Sequence, residues 1–176
     1  MQRVVDESEE YLQEPEPKSR VLDDRFLREP IAVLQPANPV CAEKGMCVAD
    51  VIREMQEHHI GCVLIVDGGK LVGIFTERDV LRSVVLSSFD PESTAVERFM
   101  TADPESLRPT DDIVFALNKM SLGGFRHVPL VDEARRPVGV ISVKDIVDYI
   151  VDCFAHEVLN LPPEPGQDVA KEPDGA

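Results

Sequence analysis

The octapeptide Gly73-Ile74-Phe75-Thr76-Glu77-Arg78-Asp79-Val80 returns 66 residues later as Gly139-Val140-Ile141-Ser142-Val143-Lys144-Asp145-Ile146. A chain that repeats itself in this way folds as two related units, and a unit of about 60 residues is marginal alone. The two copies are therefore expected to bury a core, and to build sites, against each other. The match runs upstream, where Cys47 to Asp67 aligns with Asp112 to Asp132 at an offset of 65, and one extra residue in the second turn restores 66. Pairing Pro36 with Pro109 requires about eight additional residues in the first copy, roughly Ala37 to Lys44, read here as an inserted surface loop.

Val48, Val51, Ile52 and Met55 fall at helical spacing, as do Ile113, Ala116, Leu117 and Met120, so each copy opens with an amphipathic helix. Asp111 or Asp112 can cap the second of these. Cys62 to Val66 and Leu71 to Phe75 are apolar or β-branched runs around Asp67-Gly68-Gly69-Lys70, a tight hairpin signal. His127 to Val131 and Pro137 to Ile141 repeat the pattern around a longer turn. A second helix comes next in each copy, carrying Val80, Leu81, Val84 and Val85 in the first and Ile146, Val147, Ile150, Val151 and Phe154 in the second. A short extended segment is expected before each unit, near Ile31 to Leu34 and near Glu105 to Leu107. The fold class is α+β, each unit reading β-α-β-β-α, with helices against a small sheet.

These patterns divide the chain into an acidic tail at 1–24, a first repeat at 25–86, a linker at 87–100, a second repeat at 101–156 and a Pro-rich acidic tail at 157–176. The tails carry net charges of −5 and −4 out of a total of −15, which leaves about −6 on the repeats. No broad positive field exists to hold a phosphate backbone, so nucleic acid is excluded as a partner. A small anion would need local Arg, Lys or His groups and backbone N–H groups. Cys41, Cys47, Cys62 and Cys153 show no C-x-x-C spacing and fit reduced thiols in a cytoplasm. The chain has neither a signal-peptide pattern nor a stretch long and apolar enough to cross a bilayer.

The repeated Gly-h-h-[Thr/Ser]-x-x-Asp-h line, where h is apolar, together with Phe125-Arg126-His127-Val128-Pro129-Leu130 and Val96-Glu97-Arg98-Phe99-Met100-Thr101, resembles the CBS domain. That domain is named after cystathionine β-synthase, and the likeness is to its tandem pair, the Bateman module, over residues 26 to 154. The resemblance implies two repeats about a pseudo-twofold axis, with clefts for AMP, ADP, ATP or S-adenosylmethionine as regulatory ligands. It implies no required cofactor, a homodimer, and a separate effector protein. Each cleft takes its [Thr/Ser]-x-x-Asp from one repeat and its strand-leading residues from the other.

By that resemblance Thr76, Arg78 and Asp79 face Arg126 and His127, with the carboxylate accepting from a ribose diol and the basic groups facing phosphates. The second cleft would combine Ser142, Lys144 and Asp145 with Gly61 and Cys62, which supply no cation, and Leu64 stands where the other copy has Pro129. The first cleft is the favoured one. Thr76-x-x-Asp79 and Ser142-x-x-Asp145 are equally capping boxes, able to do no more than satisfy helix N-terminal amides. His127 reads either as a ligand contact or as a hydrogen-bonded, partly buried ring.

Two functional classes are consistent with these residues. One is a stand-alone regulatory module whose adenosine-type ligand shifts a conformational or assembly equilibrium. The other is a structural dimerisation module with unoccupied clefts. An enzyme is disfavoured, because no paired nucleophile and base, phosphate loop, dinucleotide fingerprint or zinc motif is present. His58 and His59 with Cys41 and Cys47 lack tetrahedral ligand spacing, so no metal site is assigned.

Overall fold

The computed structural model describes residues 24–85 and 88–153. The acidic tails, apart from Asp24, and Phe154 lie outside the described residues. The first half contains strand β1 (Cys41–Glu43), helix α1 (Val48–Glu57), strands β2 (Cys62–Asp67) and β3 (Lys70–Thr76) and the short helix α2 (Glu77–Asp79). The second contains β4 (Thr101–Ala102), α3 (Ile113–Gly123), β5 (His127–Val131), β6 (Pro137–Ser142) and α4 (Val143–Cys153). β2 and β3 pair antiparallel around Gly68 and Gly69, whose φ values of 57° and 76° are those a two-residue turn of this hand demands. β5 and β6 pair the same way around a longer turn, pinned by Asp132, whose carboxylate accepts from the N–H groups of Ala134 and Arg136.

Each hairpin is covered on one face by its own helix. Val48, Val51 and Met55 pack on Val63, Ile65 and Phe75, while Ile113, Ala116 and Met120 pack on Val128, Leu130 and Ile141. The other face joins the halves: Cys62, Leu64, Leu71 and Ile74 of the first meet Val131 and Val140 of the second. β2 is thus buried on both faces, which explains its unbroken apolar run.

Sequence periodicity did not show that the halves exchange their leading segments. Ile31, which precedes the first half, is fully buried in the second core, and Val96, which precedes the second half, is fully buried in the first. The hydrogen bonds match: Ile31 N–H donates to the Asp111 carbonyl at 2.8 Å and Ile113 N–H to Glu29 at 2.9 Å. Equivalently, Val96 N–H donates to Met46 at 2.8 Å and Val48 N–H to Thr94 at 2.9 Å. The exchange continues downstream, where β4 adds antiparallel to β3 of the first sheet and Ala37 bridges to Val140 of the second. Each repeated glycine marks such a crossing. A Cβ on Gly73 would lie 2.2 Å from Met100 Sδ, and one on Gly139 would lie 3.2 Å from Pro36 Cβ.

Four expectations are corrected. Ile31–Leu34 is a 3₁₀ turn rather than an extended segment. No eight-residue insertion exists, because residues 41–43 form β1, parallel to β2, with Ala42 opposite Ile65; Leu107 stands opposite Leu130 in the same way, 65 residues later. The offset of 65 therefore holds at Glu29 and Ile31 as it does at Ala42, which leaves no room for the insertion, and pairing Pro36 with Pro109 is a false register. Asp112 occupies the N-cap of α3 but its side chain makes no cap bond; the Glu29 carbonyl takes the first free N–H instead, and Asp111 accepts from Arg108 N–H. In the first half the second helix is a single turn that continues as a π-helical turn over Val80–Val84.

Candidate functional site

The two repeated hydroxyl-x-x-Asp motifs adopt one geometry. Thr76 donates to Asp79 Oδ2 through its hydroxyl at 2.7 Å and its N–H at 2.9 Å, and Asp79 N–H returns a 3.4 Å bond to Thr76 Oγ1. Ser142 donates to Asp145 Oδ2 at 2.8 Å and 2.6 Å, with Asp145 N–H reaching Ser142 Oγ at 3.3 Å. Each motif closes a strand-to-helix corner as a capping box. Among the described residues only Oδ2 of either carboxylate is used, so Oδ1 retains acceptor capacity toward a second partner.

The corners are set beside each other by cross-half backbone bonding. Glu77 N–H donates to the Gly61 carbonyl at 3.1 Å and Val143 N–H to the Arg126 carbonyl at 3.0 Å. A side chain at Gly61 would press on the His127 ring at 3.3 Å and on Glu77 at 3.4 Å, so the strand-leading residues of both halves converge here.

A cleft of about 370 Å³ opens at this convergence. Thr76, Arg78 and Asp79 of the first half and Arg126 and His127 of the second line it together. Its volume falls near the lower end of small-molecule pockets, roughly 300–1,000 Å³. Arg78 Nη1 spans the halves to donate to the Gly124 carbonyl at 2.7 Å, just past the C-terminus of α3. Sequence reasoning missed Arg82, Thr101, Asp103, Glu105 and Phe125, which also line the cleft. Arg82 lies in the π-helical turn, and Thr101, Asp103 and Glu105 come from the exchanged segment. Asp103 is paired with Arg135 at 2.7 Å and Glu105 with Lys119.

His127 differs from its expected role as a cation. Burial and the adjacent Arg126 charge lower its pKa below the ordinary 6.5, against smaller opposing effects of Glu77 and Asp145, which favours the neutral ring in the empty cleft. In that form it can donate or accept a hydrogen bond but adds no positive charge.

The second group of expected residues is arranged otherwise. Ser142 and Asp145 form their corner, but Lys144 pairs with Asp148 on α4 and is largely exposed. Cys62 is buried, its thiol pushed up to about 12 mainly by desolvation. Gly61 lines the first cleft instead. A further concavity beside α1 is lined by Ile52, Met55, Gln56, His59, Ile60, Glu77, Val80 and Leu81; neither it nor the cleft contains Ser142, Lys144 or Asp145. Among the described residues Cys47, Asp50 and Glu92 could approach one cation, but Arg53 already bridges Asp50 and Glu92.

Comparison with known proteins agrees with this architecture. The family profile described as CBS domain matches residues 36–86 and 96–152. An uncharacterised 17.7 kDa protein of Acidianus ambivalens is 30% identical over 109 residues, covering 61% of this chain and 65% of that one. The CBS domain-containing protein CBSCBSPB5 of Arabidopsis thaliana is 33% identical over 132 residues, covering 74% of this chain and 24% of that one. The chain thus spans just under two thirds of the first relative and about a quarter of the second. Among solved structures, the CBS domain pair of protein MJ0100 in complex with 5′-methylthioadenosine and S-adenosyl-L-methionine superposes with a TM-score of 0.63 at 25% identity, covering 70% of this chain and 97% of that one. The CBS-domain containing protein ATU1752 from Agrobacterium tumefaciens gives 0.61 at 26% identity, covering 69% and 98%. With two matched segments that together span more than half the sequence and coincide with the two halves of the fold, the chain belongs to the CBS domain family as a tandem pair.

Proposed function

We propose that this chain is a regulatory module, without catalysis, that binds an adenosine-containing ligand in the cleft between its halves and signals to a separate effector. The observation that carries this reading is the single cleft in which Thr76 and Asp79 of one half meet Arg126 and His127 of the other. A carboxylate with a spare oxygen suits a vicinal diol, and guanidinium groups suit a phosphate. The related MJ0100 pair, whose structure holds 5′-methylthioadenosine and S-adenosyl-L-methionine, supports the ligand class. Ser142, Lys144 and Asp145 form the weaker half of the proposal, because Asp148 already neutralises Lys144. No described helix is long and apolar enough to cross a membrane. A homodimer in the cytoplasm completes the reading.

Titration calorimetry with adenosine, AMP, ADP, ATP and S-adenosylmethionine tests it, together with thermal unfolding. A ligand present at a hundred times its Kd adds about 2.7 kcal/mol of stability. Silence with all five ligands would reject binding.

That outcome would favour a structural module, a reading with its own observation. Both capping boxes are internally complete, and Leu81 (68% exposed) and Leu122 (81% exposed) offer apolar surface for assembly.

A further inference from the structure

Among the described residues, Gln35, His59, Asp103 and Arg135 adopt the left-handed backbone without being glycine. Gln35 and His59 follow helical turns, the ordinary place for such a residue. Asp103 (φ 44°) and Arg135 (φ 61°) follow none, and they are bonded to each other, Arg135 Nη2 donating to Asp103 Oδ1 at 2.7 Å. Asp103 comes directly after β4 and precedes Pro104, a position that favours extended backbone. Its counterpart 65 residues earlier, Asn38, also precedes a proline but is not left-handed. Arg135 takes the place in the β5–β6 turn that Gly69 takes in the β2–β3 turn, where glycine meets no steric penalty.

The ion pair does not offset this strain. The Asp103 side chain is 82% exposed and that of Arg135 51%, a setting in which a pair adds little to stability. What the pair does is join two places. Asp103 N–H donates to the Val72 carbonyl and Leu71 N–H to the Arg135 carbonyl, both at 2.9 Å, so the two left-handed residues hold the start of β3 from either side. β3 runs from there to Thr76 of the cleft, and Asp103 lines the same cleft with Thr101, Pro104 and Glu105. The segment from Ala102, paired on the first sheet, to Leu107, paired on the second, is thus a strap along the cleft. It is tied off at Arg135, which lies outside the cleft in the exposed turn that begins at Asp132.

Strain kept beside a ligand cleft, with no return in stability, suits an element with two arrangements. We propose that the Asp103–Arg135 pair is a release catch on this strap: a ligand filling the cleft displaces the strap, Asp103 leaves the left-handed backbone, and the β5–β6 turn loses its hold on β3. The ligand shifts the balance because the latched strap narrows the cleft and the released one makes room. Occupancy is thereby displayed on the outer turn, the surface offered to the effector. The inference rests on the adenosine reading above and adds the route by which occupancy reaches the surface.

Amide hydrogen exchange of the full chain, followed residue by residue by NMR with and without saturating AMP, tests the catch together with calorimetric titration of adenosine and AMP. A bound ligand slows exchange generally, because it stabilises the folded state. Against that trend, the Leu71 and Asp103 N–H groups should exchange at least about tenfold faster once AMP is bound. Arg135→Gly removes a guanidinium outside the cleft and suits the left-handed turn, so it should bind adenosine and AMP alike about two- to fivefold tighter, with thermal unfolding not lowered. Asp103→Asn keeps the left-handed backbone accessible without the charge and should also tighten both, the double variant adding little. Slowed exchange at both amides on binding, wild-type affinity in Arg135→Gly, or a change confined to AMP overturns the catch while the adenosine reading stands. Failure of both adenosine and AMP to bind overturns that reading and this one together.

Discussion

Arg78 of the first repeat donates to the backbone carbonyl of Gly124 in the second, at the left-handed residue (φ 65°) that ends α3. A group on the cleft wall is therefore also a tie between the halves, so an anion that draws the guanidinium away would loosen that tie. Arg78→Ala should lower the unfolding free energy measured in urea by about 0.5–1.5 kcal/mol, the usual net worth of one hydrogen bond. Gly124→Ala should cost about 1 kcal/mol or more by forcing a Cβ into the left-handed region. Unfolding curves indistinguishable from wild type for both variants would deny the tie any mechanical role.

The paired capping boxes allow stability and binding to be separated. Since Asp79 and Asp145 make equivalent bonds, Asp79→Ala and Asp145→Ala should each destabilise the protein by about 0.5–2 kcal/mol. Only Asp79→Ala should also weaken adenosine binding strongly, because its side chain alone lines the cleft. Equal binding losses in a calorimetric titration would reject the inequality of the two halves.

The exchange of leading segments makes a spatially specific prediction. Ile31→Ala should cost about 2–5 kcal/mol as a large-to-small change in a sealed core. Hydrogen exchange should accelerate first in α3 and β5, far along the chain. Val96→Ala should cost about 1.5–3 kcal/mol and expose α1 and β2 instead. Protection lost in the reverse pattern would contradict the crossed packing.

His127 supplies the pH dependence. An unfolded imidazole titrates near 6.5 and the folded one lower, so between the two values the unfolded chain binds more protons. The stability contributed by the neutral ring is full above 6.5 and is lost as pH falls through 6.5 toward the folded midpoint. His127→Gln should flatten that part of the stability profile. A phosphate bound beside the ring should move its NMR titration midpoint upward, and a midpoint indifferent to AMP would put the phosphate elsewhere.

Thiol chemistry gives a check on packing. Cys62, buried and with its pKa pushed up to about 12, should resist alkylation at pH 8 in the folded state, whereas exposed Cys153 should react. Mass spectrometry after iodoacetamide treatment would decide it; rapid modification of Cys62 would mean that the interface between the sheets opens.

The parts of this fold that announce themselves in sequence are those with a period. α1, α3 and both hairpins are legible from residues such as Val48, Val51 and Met55 and from the Asp67-Gly68-Gly69-Lys70 turn. β1 was missed because three residues are too few for alternation to register, and its pairing partner lies beyond α1. The exchanged segments share few identities, and Ile31 matches Val96 only as a position in space. Shared proline was a poor guide to register there. The same logic governs the cleft. Thr76 and Asp79 were legible because repetition flagged them, whereas Arg126 and His127, whose counterparts are Gly61 and Cys62, were legible only through the family resemblance of the segment that carries them. Arg82 has an acidic counterpart in Asp148, and Thr101, Asp103 and Glu105 belong to the crossing strand and its adjoining loop, so repetition carried no mark of them.

Because Ile31 seals the neighbour's interior and Val96 returns the favour, such units can be added to a longer chain only by twos. A lone copy would carry a plug with no socket and a socket with no plug, and a third copy appended to this one would leave the same deficit at its far end.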